Sequence, residues 1–469
     1  EAPKPESSVP EKKIPATEPP LTYAEEQKIR RQEKAAEKDS RLISGDRWIA
    51  RNGHTLTYVG LYIFSILVLF RPYELIPGLG FLSATAFYFA AATLLIFIPT
   101  QLSTEGTMTA FPTEVKCVLA MIFLALLTMP VGKDFANSWI VFNDIFIKAA
   151  SMFIVMVNVL RTRRRLMGIM WLSLGVGVIL SYMAIGMYWR GELKAEGYRV
   201  QVDIGGMFGN PNDMAMHLVM MTPIVVALAL ASKGRLMRVL YFAVAALFVA
   251  ANVVTFSRGG FLGLLVAGAI LAWKLGRRQR LKVTIASIVV GGLFILLAPG
   301  NYGLRILSIF IPGLDPVGSS DQRKELLYRS IWVTIRNPWG IGIGNSPIMN
   351  DYNLQTHNSY TQVSSELGFL GLAAYLIFLV SPFRKLAAIE RTEAAKDERD
   401  WFYYLSIGLQ ASIAGYMVSS FFGSVAYNWY AYYLIAYAVA FRRIYRLENE
   451  RRERQAEKSP ALNGELQTA

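Results

Sequence analysis

Long apolar segments recur along this chain and constrain its fold more than any other feature. Lipid offers the backbone no hydrogen-bond partners, so a segment that crosses the hydrocarbon core must be helical or part of a closed barrel. The chain has 469 residues, 53% of them hydrophobic, and a mean hydropathy of +0.34. It is predicted to be an all-α polytopic membrane protein with about 12 transmembrane helices, at roughly 55–70, 81–99, 115–131, 138–160, 166–188, 214–231, 236–256, 260–275, 283–298, 368–383, 401–421 and 424–441.

Basic residues orient these predicted spans. Alternate loops contain 161-RTRRR-165, 277-RRQRLK-282 and 442-RRIYRLENERRER-454. Cytoplasmic loops are enriched in Lys and Arg, so these loops and both termini are predicted to be cytoplasmic. Because most of the net charge of +14 lies in such short loops, it does not indicate binding to nucleic acid.

The chain divides into three predicted regions. Residues 1–54 form a charged cytoplasmic region, expected to be disordered at its start because six of the first twenty residues are Pro. Residues 55–441 form the transmembrane domain, and 442–469 form a basic cytoplasmic tail. The largest loop on the predicted outer side, about 299–367, is expected to carry short helices and a function, since loops of that length are usually functional.

This loop contains several local signals. A helix is predicted over 321–336, ended by Asn337-Pro338. The glycines that follow, at 340, 342 and 344, permit tight turns. Ser359 and Gln362 form a capping-box pattern for a second short helix. Gly368 is expected to end or bend that helix before the tenth span.

His357 is the first candidate catalytic residue. It precedes a predicted helix N-terminus, where the positive end of the helix dipole disfavours the imidazolium form. A neutral imidazole can accept a proton as a general base. The alternative is a histidine that is merely hydrogen-bonded within its loop.

Three arginines are candidate ligands for an anion. Arg258 lies between two apolar spans, and Gly259 and Gly260 beside it are expected to leave room for a ligand; the alternative is snorkelling to headgroups. Arg323 lies in the first turn of the 321–336 helix, where a cation is unfavourable unless an anion is near. It is either a phosphate ligand or a partner of nearby Asp321. Arg329 is a weaker alternative.

Polar residues also occur at the outer end of the sixth span. Asn210, Asn212 and Asp213 are possible supporting residues, although Asx residues there often only cap a helix, the slightly favoured interpretation for Asp213. His217 is expected to be a partner of Asp213. Asn358, which follows His357, is a further supporting candidate.

The sequence lacks the motifs that metal-dependent and nucleotide-hydrolysing enzymes usually carry. No D-x-D, E-x-D or H-E-x-x-H occurs on the predicted outer side, and no P-loop occurs. Metals and cofactors are therefore not expected. The single cysteine, Cys117, excludes an internal disulfide.

Four segments together resemble a known family. They are His357-Asn358 followed by nine residues, Gly368, two residues and Gly371; 207-MFGNPND-213; 256-FSRGG-260; and 319-SSDQRKELLYRSIWVTIRNPWGIGIGN-345. Taken in their order along the chain, they are similar to the pattern of the bacterial O-antigen ligase and O-antigen polymerase superfamily, over roughly residues 200–375.

The resemblance implies a GT-C-like glycosyltransferase of the bacterial inner membrane, with a periplasmic active site. Its donor would be an undecaprenyl-diphosphate-linked glycan and its acceptor a glycan, lipid A-core or other hydroxyl, in a bilayer whose lipids surround the spans. His357 falls on the family's histidine, Arg258 on its arginine after a span, and Arg323, or else Arg329, on its loop arginine. A single metal-independent displacement would invert the anomeric centre.

Two other functions are compatible with the sequence. One is a polysaccharide polymerase of the same superfamily, making O-antigen or exopolysaccharide. The other is a multi-span transporter of lipid-linked glycans, for which twelve spans are also suitable. We see no convincing similarity between the two halves of the chain, which weighs against the transporter.

The predicted orientation can be tested by cysteine labelling in a variant with Cys117 replaced by Ser. Single cysteines near residues 200 and 350 should react with an impermeant thiol reagent in intact spheroplasts. Those near 280 and 390 should react only after permeabilisation. Labelling of the 280 site in intact spheroplasts would reverse the orientation and remove His357 from the periplasmic face.

Overall fold

The computed structural model describes residues 30, 48–76, 78–83, 85–202, 204, 208–276, 281, 285, 319–350, 353–396 and 399–465. Within these ranges the chain forms helices joined by turns, with no β-strand. The main helices are α1 (Trp48–Leu69), α2 (Thr85–Glu105), α3 (Thr113–Thr128), α4 (Phe135–Val159, with a π-helical turn at Phe142–Phe146), α5 (Arg163–Trp189), α6 (Pro211–Ala231), α7 (Arg235–Val254), α8 (Arg258–Leu275), α9 (Ser319–Arg336), α10 (Ser359–Ala394), α11 (Trp401–Ser419) and α12 (Trp429–Glu465).

Ten of the described helices are long and apolar enough to cross a membrane. The fold is that of an all-α polytopic membrane protein, as predicted. The predicted ninth span, 283–298, lies outside the described residues except for residue 285. The predicted twelfth span, 424–441, corresponds to the start of α12, which is not among the ten. Its apolar part, Trp429–Phe441, is only about 20 Å long at 1.5 Å per residue and ends at a pair of arginines.

The core of the bundle surrounds α6 and the start of α12. Of the ten candidate spans, α6 is the most enclosed, with 83% of its apolar window buried. The apolar part of α12 is also buried, and its tyrosine hydroxyls find partners there. Hydrogen bonds join Tyr433 Oη to Ser65 Oγ at 2.9 Å and Tyr437 Oη to Ser173 Oγ at 2.6 Å. These bonds offset the cost of burying phenols in an apolar interior.

One end of the bundle carries a network of basic side chains, and we call it the basic face. Glu105 accepts hydrogen bonds from Arg161 at 2.8 Å and from Arg443 at 3.0 Å. Glu114 accepts from Arg442 at 2.7 Å and is also paired with Lys385 at 3.1 Å. Segments that the sequence predicts to be cytoplasmic therefore meet at this end.

The opposite end gathers the segments predicted to lie outside, and we call it the loop face. Asn137 Nδ2 donates to Gly344 O at 2.7 Å, and Ser359 Oγ donates to Gly423 O at 2.6 Å. Ser419 Oγ donates to Gly259 O at 3.0 Å. The contacts agree with the predicted alternation of the loops. The assignment of the two faces to cytoplasm and periplasm stays a prediction.

Helix α10 is broken at Gly368, and the loop after α9 pairs with the break. Gly368 has φ 73° and ψ −173°, so the helix direction changes there, as the sequence predicted. Backbone hydrogen bonds then run from Ile341 N to Ser365 O (2.9 Å), from Gly342 N to Glu366 O (3.1 Å) and from Phe369 N to Pro338 O (3.0 Å). Polar backbone groups exposed by the break are thus satisfied by the loop.

This pairing requires glycine on both sides. A Cβ atom on Gly340 would lie 2.4 Å from Glu366 O, and one on Gly368 would lie 2.3 Å from Pro338 O. The φ of Gly340 is also positive, at 93°. The neighbouring atoms are backbone atoms, so they cannot move away as the end of a flexible side chain could.

We expect Gly340→Ala and Gly368→Ala each to lower the free energy of unfolding by about 1–3 kcal/mol, because both add backbone strain and a backbone clash. Gly268→Ala is the matched control, since Gly268 is an exposed helical glycine and a Cβ added there would meet no atom within 4 Å. Thermal unfolding of the purified variants in one detergent gives the comparison. Melting of the first two variants at the temperature of Gly268→Ala would contradict the proposed role of the paired glycines.

Candidate active site

Arg258 is buried in the first turn of α8. The preceding turn is tight, since Phe256 adopts a left-handed φ of 52° and Ser257 N donates to Thr255 Oγ1 at 3.2 Å. Ser257 then caps the helix by accepting from Gly260 N at 3.2 Å. Only 8% of Arg258 is exposed. The turn therefore fixes a cation inside the loop face, where a headgroup-seeking side chain would instead be exposed.

The two glycines after Arg258 serve helix packing. A Cβ on Gly259 would lie 2.9 Å from Phe422 Cβ, and one on Gly260 would lie 2.7 Å from Ala215 Cβ. The expectation that these glycines leave space for a ligand is wrong, because neighbouring side chains occupy that space. Their role is to let α8 approach α6 and the turn after α11 closely.

His357 lies in a strained position immediately before α10. Its φ is 51°, a left-handed conformation that is uncommon outside glycine. The flanking residues hold it there. Thr356 Oγ1 donates to Asn358 O at 2.9 Å and lies 3.1 Å from Ser424 Oγ. Strain of this kind persists only where the surrounding structure enforces it.

Asn358 is the N-cap of α10, and it orients the chain after His357. Its Oδ1 accepts from Tyr360 N at 2.9 Å and from Thr361 N at 3.1 Å. The predicted capping box of Ser359 and Gln362 is therefore wrong by one residue. Ser359 Oγ instead donates to the carbonyl of Gly423. Asn358 is 3% exposed and acts as a scaffold for the histidine.

The positive charge of Arg323 affects the protonation of His357. Helix α9 packs against the first part of α10, with Thr334 Oγ1 and Ser364 Oγ 2.9 Å apart. Burial, and after it the charge of Arg323, lower the pKa of His357 from 6.5 to about 4. Arg329 instead pairs with Glu325 on its own helix at 3.0 Å. Of these two arginines, Arg323 is the one whose charge lowers the pKa of His357.

The turn after α11 lies between Arg258 and His357. Ser419, which leads into it, bonds to Gly259, next to Arg258, and Phe422 packs on the same glycine. Two residues further, Ser424 contacts Thr356, next to His357. The starts of α8 and α10 therefore rest on the same short turn at the loop face.

Arg199 is a buried arginine that the sequence motifs did not reveal. Only 3% of it is exposed. Its Nε donates to Thr255 O at 2.9 Å, and its two terminal nitrogens donate to Glu196 Oε1 at 3.1 Å and Asn212 Oδ1 at 2.7 Å. Burial lowers its pKa, Glu196 opposes that shift, and Arg258 adds to it. A basic residue in a loop predicted to be periplasmic was the signal that could have found it.

The polar residues before α6 have different roles. Asn210 is the N-cap, accepting from Asn212 N at 2.8 Å, so the capping interpretation of Asp213 is wrong. Asn212 holds Arg199, and Asp213 lies in the first turn of the helix. His217 is not a partner of Asp213. Its Nε2 lies 3.0 Å from Ser173 O, within the apolar core.

The grouping of charged side chains indicates which ligand the loop face suits. Within the ranges that the structure describes, no three His, Cys, Asp or Glu side chains come together as a metal site would require. At the loop face the charge of Arg258 affects the buried Arg199, and the charge of Arg323 affects His357. Such a site suits an anionic ligand.

A comparison with protein families gives a match over residues 243–376, to the family described as O-antigen ligase. These residues form an O-antigen ligase domain, which supports membership of the O-antigen ligase superfamily. The matched segment includes Arg258, Arg323, Arg329 and His357, whereas Arg199 lies before it. At the level of the superfamily, the chain is a glycosyltransferase-type enzyme of the ligase and polymerase class. A search of curated proteins found no match.

The contribution of Arg323 to the pKa of His357 can be measured directly. Arg323→Gln should raise that pKa from about 4 towards 6.5, because one of its two causes is removed. Arg329→Gln is the matched control on the same helix and should leave it unchanged. A pH titration of histidine-labelled protein by NMR resolves the three histidines, with His357→Gln for assignment. Equal titration of the two arginine variants would refute the contact.

Proposed function

We propose that the chain transfers a glycan from an undecaprenyl-diphosphate carrier to an acceptor hydroxyl at the periplasmic face of the inner membrane. The observation that carries this proposal is the arrangement of His357 beside Arg323, with the helix of Arg258 resting on the same turn. The family match and the burial of Arg258 and Arg199 at the loop face support it. The basic residues in the alternate loops support the orientation.

In the proposed reaction Arg258 and Arg323 bind the diphosphate of the donor. Guanidinium groups donate paired hydrogen bonds to phosphate oxygens. As the bond between the anomeric carbon and the phosphate oxygen breaks, negative charge grows on the leaving undecaprenyl diphosphate. Fixed cations stabilise that charge without a metal, because they need no reorganisation during the reaction.

His357 acts on the acceptor in this mechanism. Its imidazole accepts the proton of the acceptor hydroxyl while that oxygen forms a bond to the anomeric carbon from the face opposite the diphosphate. The anomeric configuration is inverted in this single displacement. The left-handed turn and the Asn358 cap fix the backbone of His357, which reduces the conformational entropy lost when the reactants align.

Arg199 has a positioning role in this proposal. It holds the carbonyl of Thr255, in the turn that presents Arg258, and links it to the cap region of α6 through Asn212. A cation so close to Arg258 also raises the local positive potential, which favours a diphosphate. Asn212 thus acts through Arg199, and Asn210 through the start of α6.

A cavity near the loop face supports binding of the polyprenyl tail of the donor. It has a volume of about 480 Å³ and lies between α5 and α7, with Met183, Met187 and Leu247 in its largely apolar lining. Tyr188, beside this lining, packs against Val253 and Phe256, the turn that leads into Arg258. An apolar chain in this cavity would therefore have its diphosphate end near the arginines.

The assignment is tested by donor binding and single-turnover transfer with purified variants. His357→Ala should reduce turnover by about 10²–10⁴-fold, the usual effect of losing a general base, and leave donor binding nearly intact. Arg258→Ala and Arg323→Ala should each weaken donor binding and also reduce turnover, because the diphosphate is present in the ground state and the transition state. Arg258→Lys or Arg323→Lys should restore little activity at a position where the guanidinium binds the phosphate through two hydrogen bonds.

Arg329→Ala is the matched control for Arg323→Ala, since both alter the same helix. It should retain donor binding and transfer. Near-normal transfer by monodisperse His357→Ala would show that another group is the base. The size pattern of the products separates one transfer, as by a ligase, from repeated transfer, as by a polymerase. Flipping of the donor without any product would identify a transporter.

A further inference from the structure

A second cavity lies at the basic face, at the other end of the bundle from His357. Its volume is about 830 Å³. It is enclosed by the end of α2, the 107–112 segment, α10 and the part of α12 that follows the apolar stretch. Nothing in the proposed transfer reaction uses it.

The lining of this cavity is amphipathic. Phe111, Val157, Ile389 and Val439 supply apolar surface, while Lys385, Arg442, Arg443 and Arg446 supply cations. The apolar part of α12 ends at Phe441, and the arginine pair follows immediately. The cationic part of the cavity therefore lies where the helix leaves the apolar core. Phospholipids have the same arrangement of an apolar body and a charged group at the membrane surface.

Three carboxylates line this cavity, those of Glu105, Glu450 and Glu453. Glu105 accepts from Arg161 and Arg443, and its second oxygen accepts from Gln101 at 2.8 Å. Glu114, just beyond the lining, is paired with Arg442 and Lys385. Glu450 lies 3.6 Å from Arg446, and Glu453 is exposed to solvent. The four lining cations outnumber the three lining carboxylates, so the cavity keeps a net positive charge that favours an anion.

Arg443 has unused donors. One terminal nitrogen donates to Glu105, but its Nε and the other terminal nitrogen are buried and have no acceptor among the residues that the structure describes. Its side chain is 11% exposed. Burying such donors without acceptors is costly, and most are satisfied in folded proteins. A phosphate group offers oxygen acceptors in the geometry that guanidinium binds well.

We propose that this cavity binds the phosphate of an anionic phospholipid, with Arg443 as its principal ligand. The glycerol and the start of the acyl chains would cover the apolar lining at Phe111, Val157 and Val439. Basic pockets between transmembrane helices bind anionic headgroups in other membrane proteins, which makes this a reasonable ligand class. Free phosphate shares the same chemistry, and the experiment separates the two sources.

The experiment uses delipidated full-length protein in detergent. Phosphatidylglycerol, phosphatidylethanolamine and inorganic phosphate are added separately, bound lipid is counted by native mass spectrometry, and the melting temperature is recorded. We expect one phosphatidylglycerol to bind tightly, phosphatidylethanolamine weakly, and inorganic phosphate alone not to raise the melting temperature.

The variants isolate the role of Arg443. Arg443→Gln should weaken phosphatidylglycerol binding by about tenfold or more, as expected for lost charge-assisted hydrogen bonds. Arg161→Gln is the matched control, because it removes another donor to Glu105 without lining the cavity. It should bind lipid normally. Arg443→Lys keeps a cation for Glu105 but removes the guanidinium. It replaces Arg443→Gln in the test if that variant does not fold. It should also weaken phosphatidylglycerol binding.

Three results would overturn the proposal. The first is equal lipid binding by the wild type and both Arg443 variants. The second is equal weakening by Arg161→Gln and Arg443→Gln, because Arg443 would then act only through Glu105. The third is Arg443-dependent stabilisation by inorganic phosphate with no binding of phosphatidylglycerol, which would identify a free phosphate as the ligand.

Discussion

The backbone pairing between the loop after α9 and the break in α10 is the constraint on which the loop face depends. A helix that is broken near a membrane leaves polar backbone groups without partners, and the cost is several kcal/mol for each group in lipid. Here the loop supplies those partners, and the close approach is possible only because Gly340 and Gly368 lack side chains. The same bonds fix α9 relative to α10, and therefore Arg323 relative to His357.

Buried polar side chains extend this constraint across the loop face. The carboxylate of Glu366, 1% exposed, accepts from Ser346 N at 3.3 Å and so holds the loop from inside the bundle. Arg199 does the same for the turn before Arg258. Both groups would be costly if left unsatisfied, and their bonds hold segments that are distant in sequence. The candidate site thus rests on polar contacts, while the bundle beneath it rests on apolar packing.

The sequence predicted the helices and the alternation of the loops because apolar length and basic charge are local properties. It also proposed His357, Arg258 and Arg323 as site residues because they occur in recognisable motifs, and their roles stay predictions. Arg199 was missed because its importance comes from contacts with Thr255 and Asn212 that only the folded chain creates. The glycines after Arg258 were misinterpreted for the same reason, since their neighbours on α6 and after α11 are distant in sequence. The choice between Arg323 and Arg329 likewise needed the packing of α9.

The charge of Arg323 has a further consequence for the proposed transfer. In the absence of donor, burial and this cation make His357 a weak base, with a pKa of about 4. A bound diphosphate would bring negative charge to the same region and offset the repulsion between Arg323 and an imidazolium. The histidine would then become more basic once the donor is in place. The arginine that binds the leaving group would thus also couple donor binding to the strength of the base that activates the acceptor.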